Sequence, residues 1–255
     1  MMKVTILGCG SSGGVPLIGN VWGACDPNEP RNCRTRVSIL VEQGDTVLLV
    51  DTSPDMRFQL LRANAQKISA VLYTHAHADH SHGIDDLRSL NWLSQKPMPV
   101  YADAETMAEL KERFAYVFEG SKVPGHFYKP SIEPHLITEP FRVGDIEVIP
   151  FKQGHGYSST LGLRFGDFAY TTDAKELDQE AFAALRGVQT WVVDCVREDP
   201  HPTHSHLAQT LEWIDKVKPR RAFLTHMNHS LDYASVKKKL PAGVEPAYDG
   251  LVLEC

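Results

Sequence analysis

Nowhere in the 255 residues does an apolar run approach the roughly 18 that a membrane-crossing helix needs. Cysteine is sparse as well. Cys9, Cys25, Cys33, Cys195 and Cys255 are odd in number and scattered, which suits a reducing cytoplasm better than a disulfide framework. The opening "MMKVTILGCG" lacks the basic patch, long apolar stretch and small-residue cleavage site of a secretory leader, so a cytoplasmic location is expected. There is no excess of basic residues: 26 Lys and Arg face 32 Asp and Glu, for a net charge of −6. A protein that grips long nucleic acid needs a basic face, and only "RNCRTR" (31–36) and "KVKPRR" (216–221) cluster cations. Low-complexity tracts, short repeats and an interdomain linker are all missing, so one domain over 1–255 is expected.

What is present is a series of short apolar runs bounded by turn residues. They are "KVTIL" (3–7), "TVLLVD" (46–51), "ISAVLYT" (68–74), "MPVYA" (98–102), "IEVIPF" (146–151), "FAYTTD" (168–173), "TWVVD" (190–194) and "RAFLT" (221–225). Their length and β-branched content predict strands. Helical spacing marks 103–118, 206–217 and 233–240, with Leu207, Leu211 and Ile214 on one face. Strands interleaved with helices predict a layered α/β protein. Residues 119–140 are rich in Pro and Gly and read as an irregular stretch, within a loop insertion over about 103–140. His126 and Tyr128 in it could line a pocket.

The densest chemistry is "YTHAHADHSHG" (73–83), which spends four of the twelve histidines on eight positions, His75 to His82. It starts where a buried strand stops. Residues two apart on an extended chain share a side, so His75 and His77 can share a cation. A turn into a helix then swings Asp79 and His80 toward a neighbouring position. Imidazole and carboxylate together suit zinc, with manganese as the alternative. His155, Asp173 and His226 each close or follow an apolar run, as this loop does, and strand ends on one sheet edge are where α/β folds collect functional groups.

H-x-H-x-D-H followed by a later His, an Asp and a last His resembles the metallo-β-lactamase superfamily, over nearly the whole chain. The resemblance implies an αββα sandwich with a dinuclear site at one edge. It implies that His75, His77 and His155 hold one divalent ion, that Asp79, His80 and His226 hold the second, and that Asp173 bridges them. Asp51, in "LLVDTS", matches the superfamily's first acidic motif, which orients the site.

"GCGSSGGVP", "NCRTRVSILV" and "LTHMNH" are similar to the PhnP-like phosphodiesterase branch, with ribonuclease Z more distant. That implies a metal-dependent phosphodiesterase acting on a small cyclic or nucleotide-like phosphodiester through a hydroxide generated between two cations. Asp79 and His204 are then the candidate catalytic groups. His204, in "HPTHSHLAQ", matches the proton donor to the leaving group, and His206 is its rival; Ser205 is the expected N-cap of the helix that follows. His229 and His206 are assigned to the surroundings of the metals or to substrate. An RNA-processing endonuclease and a binding module without turnover are the alternatives, and the acidic balance disfavours the first. The assembly state is left open, a homodimer included.

Two features cut against simple readings. Gly8, Gly10 and Gly13 form a G-x-G-x-x-G, yet "GVPLIGNVWG" after it is poor helix material, so a dinucleotide site is not expected. PhnP-like enzymes carry three clustered cysteines and a late His for a structural zinc. Only Cys25, Cys33 and His229 remain here, one short of the four ligands of a closed site.

Overall fold

A computed structural model describes residues 1–119 and 129–255; His126 and Tyr128 lie outside the described residues. Two seven-stranded sheets stack face to face. The first contains β1 (Lys3–Gly8), β2 (Ser38–Gln43), β3 (Thr46–Val50), β4 (Ala70–Leu72), β5 (Met98–Ala102), β6 (Ile132–Leu136) and β14 (Val252–Glu254), in the order β14-β1-β2-β3-β4-β5-β6. The second contains β7 (Phe141–Val143), β8 (Ile146–His155), β9 (Ser158–Phe165), β10 (Phe168–Thr171), β11 (Thr190–Asp194), β12 (Arg221–Thr225) and β13 (Val244–Pro246), in the order β13-β12-β11-β10-β9-β8-β7.

Side-chain alternation decides which layer each strand residue joins. Ile39, Val41, Leu48 and Val50 point between the sheets and meet Leu161, Leu163 and Phe165 in one core. Their neighbours Leu40 and Leu49 point outward and pack with Met56 and Leu60 of α1 (Met56–Arg62), Leu87 and Leu90 of α3 (Leu87–Ser94), and Met107 and Leu110 of α4 (Ala104–Arg113). On the far side, α6 (Gln179–Ala184), α7 (Leu207–Val217) and α8 (Tyr233–Lys239) cover the second sheet with Ala181, Trp213, Ile214 and Val236. The result is the expected αββα sandwich.

Three expectations shift. The helix over 103–118 breaks at Phe114 (φ −125°, ψ 39°) into α4 and the short α5 (Ala115–Phe118). Residues 132–136 are the edge strand β6 rather than irregular chain; Pro134 is tolerated there because an edge strand has a side that needs no N–H donor. The 103–140 segment is therefore more than a loop, and Arg113 of α4 donates to the Ala76 carbonyl inside the histidine loop.

The glycine-rich start opens no helix. Gly10 bridges to Arg36 and Met227, and a Cβ on it would lie 2.9 Å from the Arg34 and Thr35 carbonyl oxygens. These glycines let three chain segments touch. Nearby, Arg34 is buried (2% exposed) and ties the first 35 residues to the last 30. Its guanidinium donates to the Asn228 carbonyl at 3.1 Å, the Leu231 carbonyl at 2.7 Å and Asn32 Oδ1 at 3.1 Å. Arg34→Ala strands three acceptors and should lower stability by about 3 kcal/mol. A denaturant midpoint indistinguishable from wild type would show that the contacts are idle.

Candidate metal centre

Residues at the carboxyl ends of both sheets converge on a cleft of about 460 Å³ lined by Ser12, His77, Asp79, His155, Tyr157, Ser158, Asp173, His201, Thr203, His204 and His226. The strand grammar explains the convergence. β4 runs parallel to β3, and β10, β11 and β12 run parallel to one another, so Thr74, Asp51, Asp173, Asp194 and His226 emerge at strand ends that share a direction within each sheet. Asp51, Asp173 and His226 do so with left-handed backbones, at φ of 63°, 55° and 58°. Non-glycine residues adopt that region at a cost, and such costs gather at functional sites.

The side chains sort into two groups about Asp173. Its Oδ1 lies 3.9 Å from His75 Nε2 and 3.8 Å from His155 Nε2. Its Oδ2 lies 3.1 Å from His80 Nε2 and 3.4 Å from His226 Nε2. Asp79 Oδ2 completes the second group, 3.5 Å from both His80 Nε2 and His226 Nε2. The ligand atoms of His75, His77 and His155 fall within 4.8 Å of one another, as do those of Asp79, His80, Asp173 and His226.

These residues fit divalent cations. A tetrahedral ion with N and O ligands at about 2.0–2.1 Å sets its ligands about 3.4 Å apart, which the second group matches. His75 Nε2, His80 Nε2 and His226 Nε2 are buried without an acceptable hydrogen bond, which a protein does not tolerate unless something else satisfies them. Asp51, Asp79 and Asp173 also bring three carboxylates into one small volume.

Hydrogen bonds hold the rings in place. His80 Nδ1 donates to Asp51 Oδ2 at 2.8 Å, and Thr74 donates to the same carboxylate through N and Oγ1, both at 2.8 Å. His155 Nδ1 donates to the Thr203 carbonyl at 2.8 Å. Each ring is thereby left with Nε2 facing the cleft, the arrangement common to metal-ligating histidines.

The charges follow the same logic. Burial works against a charged His80, but Asp173, Asp79 and Asp51 outweigh it and push its pKa well above the ordinary value. Burial likewise opposes ionised Asp173, and His226, His80 and His204 overcome it, holding the carboxylate far below its usual range. Burial pulls His75 and His155 down, which favours the neutral imidazole that a cation requires.

His204 lines the cleft, and its Nδ1 lies 3.2 Å from Asp194 Oδ2. Burial disfavours its charge, yet Asp194, then Asp173 and Asp79, raise its pKa to about 9. His206 is absent from the lining; its backbone pairs with Arg197 and caps α7. Ser205 is not the cap; its hydroxyl donates to the Asp194 carbonyl at 2.6 Å. His229 also stands apart, its carbonyl accepting from Ala24 N at 2.9 Å. Cys25 Sγ donates to the Leu231 carbonyl at 3.4 Å while Cys33 is exposed, and among the described residues no ligand cluster joins them to His229.

Sequence reasoning passed over Asp194, His201 and Tyr157. Asp194 carried a usable signal, since "TWVVD" closes on an acid as "LLVD" and "AYTTD" do. His201 stands three residues before His204, with ring centroids 5.0 Å apart.

The chain matches a family model described as the beta-lactamase superfamily domain over residues 46–227. The crystal structure of a new diphosphatase from the PhnP family superposes with a TM-score of 0.90 at 35% identity, covering 100% of this chain and 98% of that one. An octanoyltransferase of Porphyromonas gingivalis is 31% identical over 255 residues, which is 98% of this chain and 51% of that protein, so the chain spans about half its length. A ribonuclease Z of Mycobacterium is 28% identical over 151 residues, 54% of this chain and 47% of that one.

Proposed function

The chain belongs to the metallo-β-lactamase superfamily of metal-dependent hydrolases, and from that premise we propose that it hydrolyses a small phosphodiester, cyclic or nucleotide-like, in the cytoplasm. The observation that carries this reading is Asp173, whose two oxygens address two separate histidine groups, with His204 Nε2 3.8 Å from its Oδ1.

In this reading His75, His77 and His155 hold one divalent cation and Asp79, His80 and His226 the other, with Asp173 shared. Zinc suits the imidazole-rich set, and manganese is the alternative. When bound, such a pair acidifies water and offsets charge on phosphoryl oxygens. The remaining steps belong to the chain's own groups. Asp51 fixes His80, and the Thr203 carbonyl fixes His155, so that neither ring turns. Asp194 orients His204 so that Nε2 can give its proton to the departing alkoxide, the step that most needs help when an alcohol leaves. Asp79, which lines the cleft, is the other candidate for proton transfer.

The named relatives bear on substrate. A diphosphatase and a ribonuclease Z both cleave P–O bonds, which supports attack at phosphorus. The octanoyltransferase name suggests acyl chemistry instead. Among the described lining residues, however, no aliphatic side chain offers an eight-carbon chain a slot. The net charge of −6 argues against long RNA.

The test is a panel of cyclic nucleotides, cyclic sugar phosphates, linear diesters, diphosphates and octanoyl thioester, run with purified protein and with His77→Ala. Phosphodiester turnover in wild type and its loss in the variant are expected. Equal rates in the two, or thioester as the only substrate consumed, would refute the reading.

A further inference from the structure

We propose that Tyr157 is the platform on which a nucleobase of the substrate stacks, so that the cleft selects nucleotide phosphodiesters over base-free ones. This rests on the phosphodiesterase reading of the same cleft.

Tyr157 is fully exposed, at 100% of its reference area. Among the described residues nothing covers its ring and no hydrogen bond holds its hydroxyl. An exposed aromatic is unremarkable on most surfaces. This one lines the cleft beside His77, Asp79 and His155, two residues beyond the last of them.

Its backbone is fixed. His155 pairs with Ser158 across β8 and β9, so Gly156 and Tyr157 form a two-residue hairpin turn. Gly156 has φ of +70° and Tyr157 is not left-handed, the pattern of a type II′ turn with glycine at its first central position. The turn is also wedged against the neighbouring loop: a Cβ on Gly156 would lie 2.6 Å from Thr203 Cγ2 and 3.3 Å from the Pro202 carbonyl oxygen. Thr203 in turn receives the hydrogen bond from His155 Nδ1. The ring is therefore carried by the same rigid unit that positions a metal-facing histidine.

The rest of the described lining is hydroxyl, imidazole and carboxylate. Those groups can engage a phosphate and a sugar, and among the described lining residues only Tyr157 offers a broad carbon face. A phosphodiester seated with its phosphorus near Asp173 would extend its organic portion toward the rim, where that face stands. Every base has a π-face, and stacking on an aromatic side chain holds it without reading its identity.

Metal-loaded wild type, Tyr157→Ala and Tyr157→Phe should be compared on a cyclic adenosine phosphate and on glycerol cyclic phosphate. The ratio of kcat/KM for the nucleotide to that for the base-free diester should fall about tenfold in Tyr157→Ala and be kept in Tyr157→Phe. An unchanged ratio in Tyr157→Ala overturns the platform. Binding separates this from the parent reading: a fluorescent adenine-analogue nucleotide should bind wild type and Tyr157→Phe alike and Tyr157→Ala about tenfold more weakly. Equal affinity in all three overturns the stacking role even if hydrolysis is observed. The expected affinity loss without hydrolysis upholds it while removing the phosphodiesterase reading.

Discussion

Asp173→Ala should empty both cation positions at once and reduce hydrolysis by about 10⁴-fold or more. Its two oxygens face the two histidine groups, 3.1–3.4 Å from His80 and His226 and 3.8–3.9 Å from His75 and His155. Losing it also removes the negative charge that balances those rings. Metal analysis after gel filtration gives the first readout and turnover the second, with circular dichroism showing that the variant is folded. A folded variant that keeps two equivalents of metal would mean that the groups on either side are independent and that the bridging role is wrong.

His204→Ala should behave differently: metal content as in wild type, with kcat down about 10²–10⁴-fold. The distinction matters because His204 Nε2 also lies 3.8 Å from Asp173 Oδ1, close enough for His204 to be imagined as a ligand. Loss of one metal equivalent would make it one. A substrate with an acidic leaving group, which needs no proton, should be far less sensitive to the change. The same residue gives a pH signature in the metal-free protein. Its pKa is raised from 6.5 to about 9 by Asp194 against the opposing effect of burial. A base with a raised folded pKa stabilises fully below 6.5 and loses that contribution as pH climbs through about 9. The stability gap between wild type and His204→Gln should close over that window, and a gap constant from pH 6 to pH 10 would remove Asp194 as the cause.

The contiguous part of the site was readable because strand periodicity and the loop spacing act on neighbouring residues. His75 and His77 sit on a short loop, and Asp79 and His80 on the single-turn helix α2 (Ala78–Ser81) that continues it, so local geometry nearly decides where they point. His155, Asp173 and His226 could be placed by their position after apolar runs. Asp194 was missed because its work is done across the fold: it reaches His204 ten residues on and the Ser205 and Ala174 amides, none of which a local pattern announces. That His204 lines the cleft and His206 does not is likewise a three-dimensional fact, since both precede the same helix.

Among the elements, β9 escaped notice because Gly162 interrupts its apolar pattern. A Cβ there would lie 2.2 Å from the Phe151 ring, so glycine serves packing between adjacent strands and says nothing against a strand. β6 was hidden by Pro134, which only an edge position permits. The break at Phe114 likewise has no sequence breaker; the helical spacing of 103–118 runs straight through it.

Asp51, Asp173 and His226 all occupy backbone conformations that glycine or asparagine would adopt with less strain. A laboratory search that rewarded heat resistance alone would thus be drawn toward relieving that strain at the positions proposed to carry the chemistry. Wherever relieved strain outweighs the hydrogen bonds lost, variants ranked by durability would need a second screen for turnover.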